Sequence, residues 1–302
     1  MKKTKLFMDT VVQIEIVIHD ENLNEKAVAK LEHAFEMFRI VEQACSRFSP
    51  DSELMLACKM IKKPVQVSPI LFEPLKFALE IAKLTEGEFD PTIGKTMEEQ
   101  GFNRHYLTGE IMDSNSDVSA TFKDIILDEK AQTLYLERPL VIDLGAVAKG
   151  FAIDLAANEL KEFEGFVINA GGDLFLGGTD WYGSPWKIGI QHPNIKDQII
   201  DEVGLSNAAI CTSGSYERRN VKIPGMHHIM NPKTKNSPNN WVSCSIIAPF
   251  AMMADAFSTA AFLLGENGIK LIEDVGLTGK FITPALKIVN VGGNYHDNTE
   301  MA

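Results

Sequence analysis

A single carboxylate, Asp255, stands in the stretch Phe250-Ala251-Met252-Met253-Ala254-Asp255-Ala256-Phe257-Ser258-Thr259-Ala260-Ala261-Phe262-Leu263-Leu264. A helix apolar nearly all round is a buried helix. An unpaired carboxylate inside one is costly, so a cation or a set of donors must meet it. Thr259 lies one turn further along the same face. Two hard oxygens there suit Mg²⁺; a basic residue distant in the chain would explain Asp255 as well. Ile142-Asp143-Leu144-Gly145-Ala146-Val147-Ala148-Lys149-Gly150 reads as strand, glycine turn and helix start, which aims backbone N–H groups and a helix N-terminus at an anion. Lys149 adds a point charge. The segment is not a Walker A loop, because only Gly145 precedes the lysine and no Ser or Thr follows it.

Other segments carry weaker signals. Asn169-Ala170-Gly171-Gly172-Asp173 follows a strand pattern, and its glycines permit either a tight turn or close approach of a ligand. His227 and His228 precede Ile229-Met230-Asn231-Pro232, a kind of pair that is more often structural than catalytic. Asp90-Pro91-Thr92 and Ser46-Arg47-Phe48 are turn-like, and Arg47 can meet an anion.

The elements that must position these groups are legible as periodicity. Val11 to Ile18 alternates as a half-buried strand does. Asn24 is a helix-cap type ahead of Val28, Leu31, Phe35, Phe38 and Val41, spaced by threes and fours. Ser68-Pro69 starts a second helix, with Leu71, Leu75, Leu79 and Ala82, that runs to Gly87. The polar stretch 101–122 reads as a connection between two halves. Strands are expected at Thr133–Leu136, Leu140–Ile142, Phe166–Ile168, Trp186–Ile190, Ala208–Cys211, Ser243–Ile247 and Lys287–Val291. Helices are expected at Ala148–Phe163, Phe250–Leu264, closed by Gly265, and Ile269–Val275. Strands and helices interleave without a strict βαβ rhythm, which predicts an α+β fold of mixed sheets with packed helices.

Bulk properties exclude several classes. With 302 residues, 45% hydrophobic and 23% charged, the chain has the makings of one domain over 1–302, or two lobes joined near 101–122. Its net charge of −12 repels polyanions, so no nucleic-acid partner is expected. Four widely spaced cysteines form no C-x-x-C pair and indicate neither zinc nor a disulfide framework. No segment has membrane-spanning length. Asp9 interrupts the basic N-terminus before any apolar run, so the expectation is a cytoplasmic protein, or an exported one whose leader was removed.

Together, and in this order, several segments resemble the ApbE family of FAD:protein FMN transferases. They are Met8-Asp9-Thr10, Ser46-Arg47-Phe48 through Ser52-Glu53-Leu54, Phe89-Asp90-Pro91-Thr92, Asp143 to Gly150, Asn169 to Asp173, Thr212-Ser213-Gly214, His228 to Thr234, and Ala254-Asp255 to Thr259. The resemblance implies an ApbE-like fold with FAD held in a cleft between two lobes. It implies that Asp255, Thr259 and the Ala146 carbonyl hold Mg²⁺. FAD contacts are implied at Met8, Ser46, Arg47, Phe48, Phe89, Asp90, Pro91, Asp143, Lys149 and Ile229. Asp9 stands where the family usually has Gly, and Asn231-Pro232-Lys233-Thr234-Lys235 replaces its usual Asp-Pro-Arg-Thr-Gly.

The reaction so implied is attack by a Thr or Ser hydroxyl of an acceptor protein on the riboflavin-side phosphorus of FAD, with AMP leaving. His228 matches the family's histidine before Ile-x-x-Pro, and a histidine titrates near working pH, which makes it the expected general base. The alternatives are an FAD pyrophosphatase, in which water replaces the protein hydroxyl, and a non-catalytic flavin-binding protein.

Overall fold

Lys2–Phe7 and Thr10–Ile16 form a hairpin, β1 and β2, whose turn residues Met8 and Asp9 both have positive φ, 50° and 57°. That backbone is strained for residues with a Cβ. The Glu42 carboxylate holds the turn by accepting the Met8 N–H at 2.8 Å. The computed structural model describes residues 1–105, 108–216, 223 and 225–293.

Helix α1 (Asn24–Cys45) buries Leu31, Phe35, Phe38 and Val41 as their spacing predicts, but Val28 is 38% exposed. Asn24 is the first helical residue, not the cap; Asp20 caps instead, accepting the Asn22 N–H of a 3-10 turn that leads into the helix. Helix α2 (Glu53–Cys58) is capped by Ser52. After β3 (Val65–Gln66), α3 (Pro69–Leu84) starts as expected, with the Ser68 hydroxyl accepting the Leu71 N–H and Pro69 in the first turn. A short α4 (Gly94–Glu99) follows. The described residues of 101–122 hold no α-helix and only an isolated bridge, Arg104 to Ile111, before a 3-10 turn begins at Phe122.

β4 (Ile125–Asp128) and β5 (Thr133–Leu136) complete a small sheet in the order β3-β5-β4. Leu140–Ile142 is buried but joins no ladder, contrary to expectation. A short apolar run records burial, not pairing, and here the chain is tied by the Asp143 N–H to the Pro91 carbonyl at 2.7 Å.

The second half contributes α5 (Ala148–Leu160), β6 (Gly165–Ala170), β7 (Asp173–Gly178), β8 (Trp186–Gln191) and β9 (Ile199–Leu205). It ends with β10 (Ala208–Gly214), β11 (Ser243–Ala248), α6 (Ala251–Leu264), α7 (Asn267–Asp274), β12 (Thr278–Ile282) and β13 (Ile288–Val291). An eight-stranded sheet runs β1-β2-β6-β7-β10-β11-β12-β13, antiparallel at every step. On one face α6 packs against β10 and β11, α5 against β6 and β7, and α1 against α5. The separate β8–β9 pair covers part of the other face, so Ala208 and Ile210 point to one hydrophobic cluster while Ala209 and Cys211 point to the other. Among the described residues no helix is long and apolar enough to cross a membrane.

Candidate active site

Lys149, in the first turn of α5, meets two buried carboxylates at once. Its ammonium pairs with Asp173, the first residue of β7, and lies 3.2 Å from Asp255 Oδ2 in α6. The same Asp255 oxygen accepts the Gly150 N–H at 3.1 Å. The basic residue weighed above as a partner for Asp255 is therefore Lys149, though it occupies only one carboxylate oxygen. Oδ1 accepts no hydrogen bond among the described residues. One ammonium between two carboxylates leaves a formal charge of −1 in a nearly dry place.

The two helices carrying this cluster are clamped together. Gly150 has no side chain to hold them apart: a Cβ there would lie 2.6 Å from the Met252 Cα. Four residues on, Asp154 accepts the Ala251 N–H at 2.6 Å and the Met252 N–H at 2.9 Å, so it caps α6 from α5. Burial pushes the Asp154 carboxyl up to about 6, with the Asp255 charge acting in the same direction, despite those two amide donors.

Lys149, Asp173 and Asp255 floor a cavity of about 440 Å³, and every residue expected from the resemblance to touch FAD, hold the metal or act as base lines it. Met8 comes from the β1–β2 turn; Ser46, Arg47 and Phe48 from the end of α1; Phe89, Asp90 and Pro91 from the segment after α3. Asp143, Ala146 and Lys149 come from the entry to α5, His228 and Ile229 from the loop before β11, and Asp255 and Thr259 from α6. The Gly171-Gly172 pair forms the two-residue β6–β7 turn with φ of 65° and 100°, and a Cβ on Gly171 would collide with the Thr10 hydroxyl.

Several of these side chains shape the walls. Arg47 is buried, pairs with Asp143, donates to the Phe102 carbonyl at 2.7 Å and lies 4.1 Å over the Phe48 ring. Its Nη1 is buried with no hydrogen-bond partner among the described residues. Asp143 Oδ1 accepts the Gly145 N–H at 2.8 Å, which fixes the turn into α5. Asp90 accepts from the Thr92 N–H, the Thr92 hydroxyl and the Phe122 N–H, and burial still raises its carboxyl above the ordinary range. The two histidines separate: His227 is 2% exposed, 3.1 Å from the Pro238 carbonyl and edge-on to Phe262, whereas His228 is half-buried on the cavity wall. Asn231 folds the next turn by accepting the Lys233 and Thr234 N–H groups, and donates across the cavity rim to Glu88, which also pairs with Lys233 at 2.9 Å.

Sequence reasoning named Asp173 only as the end of the glycine turn, without its pairing to Lys149, and missed Asp154, Glu42 and Glu88. Asp154 carried a usable signal, a charge among apolar neighbours in α5 like that of Asp255 in α6; Glu42 and Glu88 look like ordinary polar surface residues. Among the described residues no three His, Cys, Asp or Glu side chains gather as a metal cluster. Yet Asp255, Thr259 and Ala146 line the same cavity, and between them they carry a carboxylate, a hydroxyl and a backbone carbonyl. Hard neutral and anionic oxygens beside a residual negative charge fit a hard divalent cation.

The ApbE family model matches residues 8–279. An FAD:protein FMN transferase of Haemophilus influenzae is 28% identical over 244 residues, covering 75% of this chain and 70% of that protein. One from Escherichia coli K12 is 29% identical over 259 residues, covering 80% and 73%. Among solved structures, the ApbE protein of Thermotoga maritima superposes with a TM-score of 0.83 at 28% identity over 96% of each chain. The flavin transferase ApbE of Vibrio cholerae has the same fold, with a TM-score of 0.81 at 23% identity over 96% of each chain.

Proposed function

The chain belongs to the ApbE family, and from that membership we propose that it is an FAD:protein FMN transferase, joining FMN to a Thr or Ser hydroxyl of an acceptor protein and releasing AMP. The observation that carries the reading is the convergence of widely separated segments, residues 8 to 263, on one cavity floored by Lys149, Asp173 and Asp255.

In this reading the acceptor hydroxyl attacks the riboflavin-side phosphorus, a new P–O bond forms, and the bond to the bridging oxygen breaks as AMP leaves. Phosphoryl transfer asks mainly for positioning and charge neutralisation. The start of α5 and the Lys149 ammonium supply fixed positive charge toward the pyrophosphate. Arg47, paired with Asp143 on the cavity wall, adds a guanidinium to that wall. His228, which lines the same cavity, takes the proton of the attacking hydroxyl. Asp255, Thr259 and the Ala146 carbonyl would hold Mg²⁺, which supplies Lewis-acid neutralisation of the phosphate oxygens. Burial on the apolar walls around Phe48, Phe89 and Ile229 suits the isoalloxazine ring.

The test is incubation with FAD, Mg²⁺ and a peptide carrying the acceptor threonine, followed by peptide mass and AMP quantitation. A peptide heavier by one FMN with equimolar AMP is expected. AMP with an unmodified peptide would make water the acceptor and the protein a pyrophosphatase; neither product would leave a binding protein.

A further inference from the structure

The Thr259 hydroxyl belongs to a chain. Its Oγ1 is 2.9 Å from Ser213 Oγ on β10, Ser213 Oγ is 2.8 Å from Ser258 Oγ, and Ser258 donates to the Asp255 carbonyl at 2.8 Å. Ser213 is 8% and Ser258 0% exposed, while Thr259 is half-buried on the cavity wall. Each hydroxyl owns one proton, so the direction of the chain follows from its fixed end. A carbonyl only accepts, so Ser258 places its proton on Asp255. Ser258 must then accept from Ser213, and Ser213, its own proton committed, must accept from Thr259. The Thr259 proton is thereby turned into the protein, and its lone pairs face the cavity.

Resting on the reading of Asp255, Thr259 and the Ala146 carbonyl as ligands of a divalent cation, we propose that Ser213 and Ser258 are positioning residues that hold Thr259 as an oxygen acceptor toward that cation. A cation needs lone pairs and repels a proton aimed at it. With Ser213 truncated, the Thr259 proton has no buried acceptor on β10. Of the two carbonyls a helical threonine can reach, three and four residues back, that of Asp255 already accepts from Ser258. The proton is then no longer fixed away from the cavity, and every orientation toward it opposes the metal. The sheet thus sets the electrostatics of a ligand that sits on a helix.

The test measures Mn²⁺ affinity by loss of the free-ion EPR signal, with FAD affinity in EDTA and Tm recorded on the same proteins. Ser213→Ala and Ser258→Ala are each expected to weaken Mn²⁺ binding about tenfold, the lower end for groups that orient a metal ligand, and Ser258→Ala, at a position that does not line the cavity, to leave metal-free FAD affinity unchanged. If Ser213→Ala does not fold, Ser258→Ala decides alone, because it frees the Ser213 proton to face Thr259. Unchanged Mn²⁺ affinity in the folded serine variants, with binding lost in Asp255→Ala, overturns the proposal and leaves the metal site standing. Unchanged affinity in Asp255→Ala as well removes the metal reading and the proposal with it.

Discussion

Lys149 neutralises part of two carboxylates that would otherwise face each other across the floor of the cavity. Lys149→Ala should cost about 3 kcal/mol, the lower end for breaking a buried pair, since this lysine retains some exposure. Divalent cations should then raise the variant's Tm more than the parent's, because an added cation can replace the lost charge; equal shifts in thermal melts would contradict this. His228→Ala should lower FMN transfer by about two to four orders of magnitude and flatten the rate between pH 6 and 9, whereas an unchanged profile would remove the general-base role. Asp255 was legible because a charge in an apolar helix has to be accounted for. Its pairing with Lys149 was not, because 106 residues separate them and only the fold reveals that they meet. Ser213 and Ser258 gave no signal, since a hydroxyl in a strand or helix is common and its role lies in a proton direction that only three-dimensional neighbours determine.

The α5–α6 pair is the unit that keeps Lys149, Gly150 and Asp255 in register, and Asp154 is its clasp. Burial raises the Asp154 carboxyl from 3.8 to about 6. Between about pH 4 and pH 6 the native protein therefore holds a proton that the unfolded chain has released, and the stability this group contributes falls as pH rises through that window. Asp154→Asn removes the titration, so the stability gap between parent and variant should shrink by about 2 kcal/mol from pH 4 to pH 6.5. Urea denaturation across that range checks it, and a constant gap would contradict it. Helices α3, α5 and α6 were readable because each shows a cap, a glycine stop or sustained apolar spacing. Strands β1, β3, β4, β7, β9 and β12 were not read. In β1 the reason is visible: Lys3 and Lys5 turn toward α1 and pair with Glu32, so the side chains of the inner face are charged and hide the alternation. In β7, two closing glycines shorten an already brief pattern.

Across the whole molecule, segments that carry cavity residues are tied together from far apart in the chain, among them Asn231 and Lys233, just after Met230, to Glu88, next to Phe89, 143 and 145 residues apart. Asn231→Asp would set a second carboxylate against Glu88 in place of a donor. FAD affinity should fall several-fold and recover partly at pH 4 to 5 as the carboxylates protonate; equal affinity in parent and variant, read by flavin fluorescence, would exclude this tie as a determinant of the cavity. The α+β class followed from the interleaving of strands and helices, but the strand order could not, since β2 lies beside β6 and β7 beside β10 through contacts no local pattern encodes. That order has a consequence in time. β2 pairs with β6 in a register that sets Ile16 against Phe166, so a ribosome adding roughly 5–20 residues per second delivers the partner strand about 8–30 s after the hairpin emerges. Throughout that interval β2 offers an open edge bearing Val12, Ile14 and Ile16, which the finished protein buries completely. Slower elongation ahead of β6 should therefore lower the soluble yield of the protein without altering a single residue of it.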